Sequence, residues 1–305
     1  MADQHIYEGK ERRLPDFLCI GGQRSGTTWL HRHLNSHPEI WLPPVKEIHY
    51  FSGRDVKRKR KINVYLRHLR VRVIDNISDI FSLNKSLPQK LAWDMRYFFG
   101  KRNTAWFLSL FRPLSHQIAG ESSPYYAVLL EDIVKEIHNI NPDMKIIYIM
   151  RNPIERSWSG AIKDLARQNR RNINEVPENE ILKKINTPGT LDRSNHLKVI
   201  EKWETFFRKE QIFIAFFEEV IDQPEELLKR ILQFLGVSSS SEFILPDIAK
   251  KVNSSGKYYS PIPAHLHVHM AEQQIDQLRE LSMRFGGPAK KWLNSAEEIL
   301  AGSQG

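Results

Sequence analysis

The chain has 305 residues, enough for one large α/β domain or two small ones. With 41% hydrophobic and 27% charged residues it has an ordinary globular make-up, which excludes a fibrous or intrinsically disordered chain. A net charge of +9 favours an anionic partner (nucleotide, acidic polysaccharide, nucleic acid or membrane surface) without choosing among them.

The single cysteine, Cys19, excludes an intrachain disulfide framework and fits a reducing compartment. No run reaches the ~18 apolar residues of a membrane helix. The first 16 residues carry no apolar signal core. The chain therefore reads as soluble and cytoplasmic, with no membrane segment.

Residues 1–15 read as a flexible arm, followed by a single domain over 16–300. A short apolar strand is expected at 17–21 and a helix at 26–36, stopping before His37-Pro38. Between them lies Ile20-Gly-Gly-Gln-Arg-Ser-Gly-Thr-Thr28. There the turn N–H groups and the positive end of the helix can converge on one anion. The spacing is close to that of a nucleotide-triphosphatase loop, Gly-x-x-x-x-Gly-Lys-Ser/Thr, with Gly21 and Gly26 as the glycines. Thr27 stands where that motif needs lysine, Thr28 fills the hydroxyl position, and Arg24 is the cation within the loop.

Residues 39–51 form a proline-containing connection, then an apolar–polar alternation that predicts a strand over Ile48–Phe51. The basic run Lys57–Lys61 reads as a solvated face or as a footprint for an acidic acceptor. Residues 62–118 carry a mixed helical pattern, and most of the aromatics from Trp93 to Phe111 are assigned to the core.

A strand end and turn are expected at 119–126 and a helix at 128–139. Ile146–Met150 is continuously apolar, as in a parallel strand buried on both faces. It ends at Arg151, and Asn152-Pro153-Ile154-Glu155 then starts a helix. A polar surface loop with some helix follows at 167–192. Beyond it come a helix at 196–208, a strand at 212–216, a helix at 225–235 closed by Gly236, a loop after 252, and a helical region at 268–300. Strand–helix alternation throughout predicts an α/β fold with a central parallel sheet flanked by helices.

Two strand-to-helix turns stand out, at 20–28 and at 151–159, and ligands of open α/β sheets gather at such strand ends. Together they resemble the sulfotransferases that use 3′-phosphoadenosine-5′-phosphosulfate (PAPS). The loop at 20–28 is similar to that family's 5′-phosphosulfate loop. Met150-Arg-Asn-Pro-Ile-Glu-Arg-Ser-Trp-Ser159 is similar to its 3′-phosphate strand and helix. The likeness extends to Leu42-Pro-Pro-Val-Lys-Glu-Ile-His-Tyr-Phe51, to Gly120-Glu-Ser-Ser-Pro-Tyr-Tyr126 and to 203–235. It is closest to the heparan-sulfate and bacterial carbohydrate-type branch.

The resemblance implies a P-loop-like three-layer fold. It implies PAPS as donor and adenosine 3′,5′-bisphosphate (PAP) as product, with no metal. It assigns donor contacts to Arg24, Ser25, Gly26, Thr27, Thr28, Arg151, Ser159 and Lys257. Glu47 is the implied base, with Arg24 stabilising the leaving group; by period two His49 shares the strand face of Glu47, which leaves it open as an orienting group, an alternate base or a packed histidine. Arg24 and Ser122 depart from the branch, which commonly carries lysine at both positions. The implied partner is a hydroxyl- or amine-bearing acceptor, carbohydrate by branch, and not nucleic acid. His265-x-His267-x-His269 reads as a solvated loop entering a helix rather than a metal site.

On the residues alone, two other readings stay open. A P-loop kinase or nucleotide triphosphatase needs a lysine after Gly26 and an acidic magnesium ligand at a strand end. A non-catalytic binder of acidic polymer leaves the two anion grips unexplained.

Overall fold

The structure, a computed structural model, describes residues 14–52, 58–82, 86–169, 175–250 and 260–303. Five strands form one sheet: β1 (Phe17–Gly21), β2 (Ile40–Trp41), β3 (Ile118–Ser122), β4 (Lys145–Met150) and β5 (Ile212–Phe216). Their spatial order is β2-β3-β1-β4-β5, and every pairing is parallel. A parallel sheet needs helical crossovers, which cover both of its faces. That is why β1 and β4 are apolar at successive positions instead of alternating.

The period of two sorts their side chains into two cores. Leu18 and Ile20 of β1, with Ile146, Tyr148 and Met150 of β4, enter one core; Phe17 and Cys19, with Ile147 and Ile149, enter the other. The smaller core is closed by α1 (Thr27–Asn35) and, late in the chain, α11 (Pro224–Leu235). The larger core takes residues from α3 (Leu87–Phe99), α4 (Thr104–Ser109), α5 (Glu131–Ile140), α6 (Pro153–Asn169), α7 (Glu178–Ile185), α9 (His196–Glu204), α12 (Ala264–Phe285) and α13 (Gly287–Gly302). The remaining helices are α2 (Arg58–Phe81), α8 (Pro188–Ser194) and α10 (Phe217–Asp222). The result is the expected three-layer α/β fold. β1 has β3 on one side and β4 on the other, so the connections diverge at its carboxyl end, where ligands of such sheets bind.

Gly120 of β3 shows how tightly the sheet is covered. A Cβ there would lie 2.3 Å from Phe17 Cζ, inside a fully buried ring. Gly120→Ala is expected to cost ~1–3 kcal/mol through displacement of that ring. A fall in the urea midpoint with an unchanged denaturant slope would show it.

Several expectations need correction. Ile48–Phe51 is not a strand. The N–H of Ile48 donates to the buried Glu121 carboxylate at 2.9 Å, and Glu47 and His49 have left-handed φ values of 67° and 55°. The added strand is β2, a two-residue edge beside β3. Residues 167–192 are mostly helical where described, in the end of α6 and in α7 and α8. His265, His267 and His269 lie on α12, not in a loop; His265 bonds Glu178 at 2.7 Å and His269 bonds Asn186 at 3.1 Å. Among the core aromatics, Phe99 is an exception at 77% exposed. The arm over residues 1–13 and Lys257 lie outside the described residues. Among the described residues, no helix is long and apolar enough to cross a membrane.

Candidate active site

The loop after β1 folds as a cradle because its backbone takes conformations open to few residues. Gly26, the residue before α1, sits at φ 82°, and a Cβ on it would meet Val220 at 3.2 Å. Arg24 is also left-handed, at φ 71°. Among the described residues, the non-glycine residues with positive φ are Arg24, Glu47 and His49. Such conformations cost ~1–3 kcal/mol each and gather where function holds them in place. Ser25 is fully buried, and its hydroxyl meets no partner among the described residues. A buried hydroxyl without such a partner, beside the start of α1, fits a phosphate- or sulfate-bearing ligand. Thr27 opens α1 and is buried, and Thr28 follows it on the first turn.

The second turn closes on the first. Arg24 Nε donates to Ser159 Oγ at 2.9 Å, and Arg151 Nη1 donates to the Arg24 carbonyl at 3.1 Å. Arg151 also pairs with Glu155 at 2.9 Å and lies 4.7 Å from the centre of the Phe217 ring. Asn152 Oδ1 accepts from the Ile154 N–H at 3.0 Å and fixes the start of α6. The two arginines are therefore neighbours. Burial first, then the charges of Arg151 and Arg167, push the Arg24 guanidinium below its ordinary value, against Asp164. An anion between these side chains would relieve that opposition.

Glu47 approaches from the 42–51 loop. Its carboxylate lies 3.3 Å from His49 Nε2, 3.6 Å from Arg67 and 3.7 Å from Lys46. Burial raises its pKa, but the His49 hydrogen bond and the charges of Lys46, His49 and Arg67 outweigh it and hold the carboxyl at about 2. His49 reaches Glu47 through the coil of the loop rather than across a pleat, with its Nδ1 bonded to Ser52 Oγ at 3.0 Å. Glu121 fastens the loop from below: Ser123, Tyr126 and the Ile48 N–H all donate to its carboxylate.

Four side chains join the site that the sequence reading left out. Lys46 Nζ donates to Thr28 Oγ1 at 3.1 Å, which brings a cation from the 42–51 loop to the cradle. Arg67, from α2, reaches Glu47. Lys163 stands one turn beyond Ser159 on α6, a spacing that stacks the two on one face. Burial first, then the charges of Arg24 and Arg167, push the Lys163 ammonium down to about 8, with Glu47 and Asp164 opposing. His31 is pushed to about 3 by burial and then by Lys46, against Glu47, and its Nδ1 is buried without a partner among the described residues. Helical spacing from Ser159 was the available signal for Lys163; the other three needed the folded loop. Ser122, at the second departure, is buried, with its hydroxyl unpartnered among the described residues. Among those residues, no three His, Cys, Asp or Glu side chains are placed to hold a metal ion.

A parallel sheet with two cation-bearing strand-to-helix turns meeting at its switch point is a P-loop-like architecture, with the turns where ligands of such sheets gather. The sequence signature of the Sulfotransferase family matches residues 15–241, and the chain belongs to that family. Heparan sulfate glucosamine 3-O-sulfotransferase 5 of Mus musculus is 23% identical over 232 residues, covering 74% of this chain and 54% of that protein. Heparan sulfate glucosamine 3-O-sulfotransferase 3B1 of Mus musculus is 26% identical over 293 residues, covering 90% of this chain and 62% of that protein. The chain thus spans less than two thirds of the length of these relatives. A solved sulfotransferase from Alicyclobacillus acidocaldarius shares the fold, with a TM-score of 0.56 and 21% identity over 93% of this chain and 95% of that one.

Proposed function

We propose that the chain transfers a sulfuryl group from PAPS to a hydroxyl or amine of a carbohydrate acceptor, releasing PAP. The observation that carries this reading is the meeting of the two turns, where Arg24 bonds both Ser159 and, through its carbonyl, Arg151. One turn suits each end of a donor that is anionic at both its 5′ and 3′ positions. Thr28 and the loop N–H groups, with Arg24 and Lys46, hold the phosphosulfate end; Arg151 and Ser159 hold the 3′-phosphate. The carbohydrate acceptor rests on the branch that the sequence resembles and on the named substrates of the relatives.

In this reading the acceptor oxygen or nitrogen attacks sulfur in line, and the bond from sulfur to the bridging oxygen breaks. Glu47 takes the acceptor's proton. Arg24 balances the charge that grows on the bridging oxygen, the task that matters most in loose transfer reactions. A carboxyl held at about 2 is ionised at every working pH but weakly basic. An anionic donor shares the charge of Lys46 and so weakens one of the groups that hold Glu47 down. The base thereby strengthens when the donor is in place. The test is transfer of labelled sulfate from PAPS to a panel of polysaccharides, simple alcohols and amines without magnesium. Transfer to none of them, or turnover only of Mg-ATP, would overturn the reading.

Lys163 supplies a pH-dependent prediction. In the free chain it loses its proton as pH rises past about 8. A bound anion favours the charged form and raises that value. PAP binding at pH ~8.5 should therefore take up a proton, and affinity should fall as pH rises further. Calorimetry in buffers of different ionisation enthalpy reads the uptake directly. Lys163→Met should abolish it, and undiminished uptake in that variant would assign the proton elsewhere.

A further inference from the structure

α2 has its polar and apolar faces reversed relative to a helix that packs on a core, whereas its neighbour α3 gives Trp93 and Tyr97 to the larger core. The seam between the two helices is polar. Tyr65 donates to the Phe98 carbonyl at 2.9 Å, His68 bonds the Tyr97 hydroxyl at 2.6 Å, Arg72 pairs with Asp94 at 2.7 Å and Lys90 with Asp79 at 2.8 Å. These contacts run antiparallel down the two helices and leave the apolar stripe of α2 outside. Ile62, Leu66, Leu69, Val73, Ile77 and Ile80 recur at three- and four-residue steps and are between 39% and 57% exposed. Of the fifteen exposed large hydrophobic residues among those described, eight lie on α2 and three more on α3. Exposed apolar surface concentrated in this way marks an interaction site rather than ordinary surface scatter.

The charges around the stripe say what covers it. Arg67 and Arg70 are exposed; the basic run Lys57–Lys61 precedes them in the sequence, and its side chains lie outside the described residues. The acids of the hairpin are engaged within it: Asp94 and Asp75 with Arg72, and Asp79 with Lys90. A second copy of this face would bring Arg67 and Arg70 to like charges, or to carboxylates that already have partners. A basic amphipathic helix matches an anionic lipid surface instead, with its apolar side in the headgroup boundary and its cations at the phosphates.

We propose that the α2–α3 hairpin lies on the surface of anionic phospholipid membranes. The same helix carries Arg67 to Glu47, so the docked surface and the candidate active site share one element. The binding is peripheral, and it is independent of the reaction assigned to the site.

The test is co-sedimentation of the whole chain with phosphatidylcholine vesicles and with vesicles containing about one third phosphatidylserine. Binding should be at least ~10-fold stronger to the anionic vesicles and should weaken with added salt. Val73→Glu/Ile80→Glu should lower it by ~10-fold with an unchanged melting temperature, since both side chains are exposed. If that variant melts early, Arg70→Glu and the salt series carry the test. Equal binding to the two vesicle types, or binding unaffected by these changes, would overturn the proposal. So would a solution dimer that the double variant splits, because it would assign the face to a second copy.

Discussion

Glu47→Gln is expected to lower turnover by ~10²–10⁴-fold while leaving PAP affinity intact, the range typical of a lost general base. The substitution keeps size and hydrogen-bonding capacity, so the 42–51 loop should keep its place on Glu121. It removes a negative charge that lies within 4 Å of Lys46, His49 and Arg67, which leaves the cradle more positive. PAP affinity should therefore hold or rise slightly, and a merely structural role would predict its loss. Initial rates with PAPS and equilibrium binding of PAP separate the two effects. Retained turnover would move the base to another group, with His49 first in line.

The carboxyl is held at about 2, so its own titration lies far below neutral pH. A pH–rate profile should show no acid limb from Glu47 above pH ~4, since its free-enzyme value lies below the ordinary carboxylate range.

Arg151→Ala is expected to weaken PAP binding by ~2–4 kcal/mol, the usual cost of removing one partner of a charged, partly buried contact. Three contacts hold the guanidinium in place: Glu155, the Arg24 carbonyl and the Phe217 ring. That fixed geometry suits a fork presenting two N–H groups to one phosphate, which lysine cannot copy. Arg151→Lys should therefore recover only part of the loss. Because Arg151 also bonds the backbone of the 20–28 loop, the alanine variant should loosen Arg24 as well. Its effect should then be non-additive with Arg24→Ala, as for contacting residues. An Arg151→Ala chain that binds PAP as tightly as the parent would remove the 3′-phosphate role from this turn.

β1, β4, β5 and the two strand-to-helix turns were legible because their signals are local. Ile146–Met150 is apolar without a break because both of its faces are covered, and Asn152-Pro153 marks the helix start by capping chemistry. The Glu47 segment was not legible as structure. Its alternation looks like a strand, but the Ile48 N–H is taken by Glu121, seventy-three residues away, and two residues turn left-handed. No period-two rule reports either fact.

The reversal of α2 was hidden for a related reason. Its apolar positions have ordinary helical spacing, and only the Arg72–Asp94 and Lys90–Asp79 pairs reveal which face turns inward. Lys46 has the same lesson on a smaller scale. Beside Glu47 in sequence it reads as a neutralising partner, and the fold then aims its ammonium at Thr28.

In the proposed reaction, two turns at the carboxyl ends of β1 and β4 form one site for a donor with two anionic ends. Titration calorimetry of PAP into the unmutated chain, without magnesium, tests it most directly. The expected result is one saturable site per chain, weakened by Arg24→Ala and by Arg151→Ala alike. Absence of PAP binding, or binding only of ATP and only with magnesium, would contradict it.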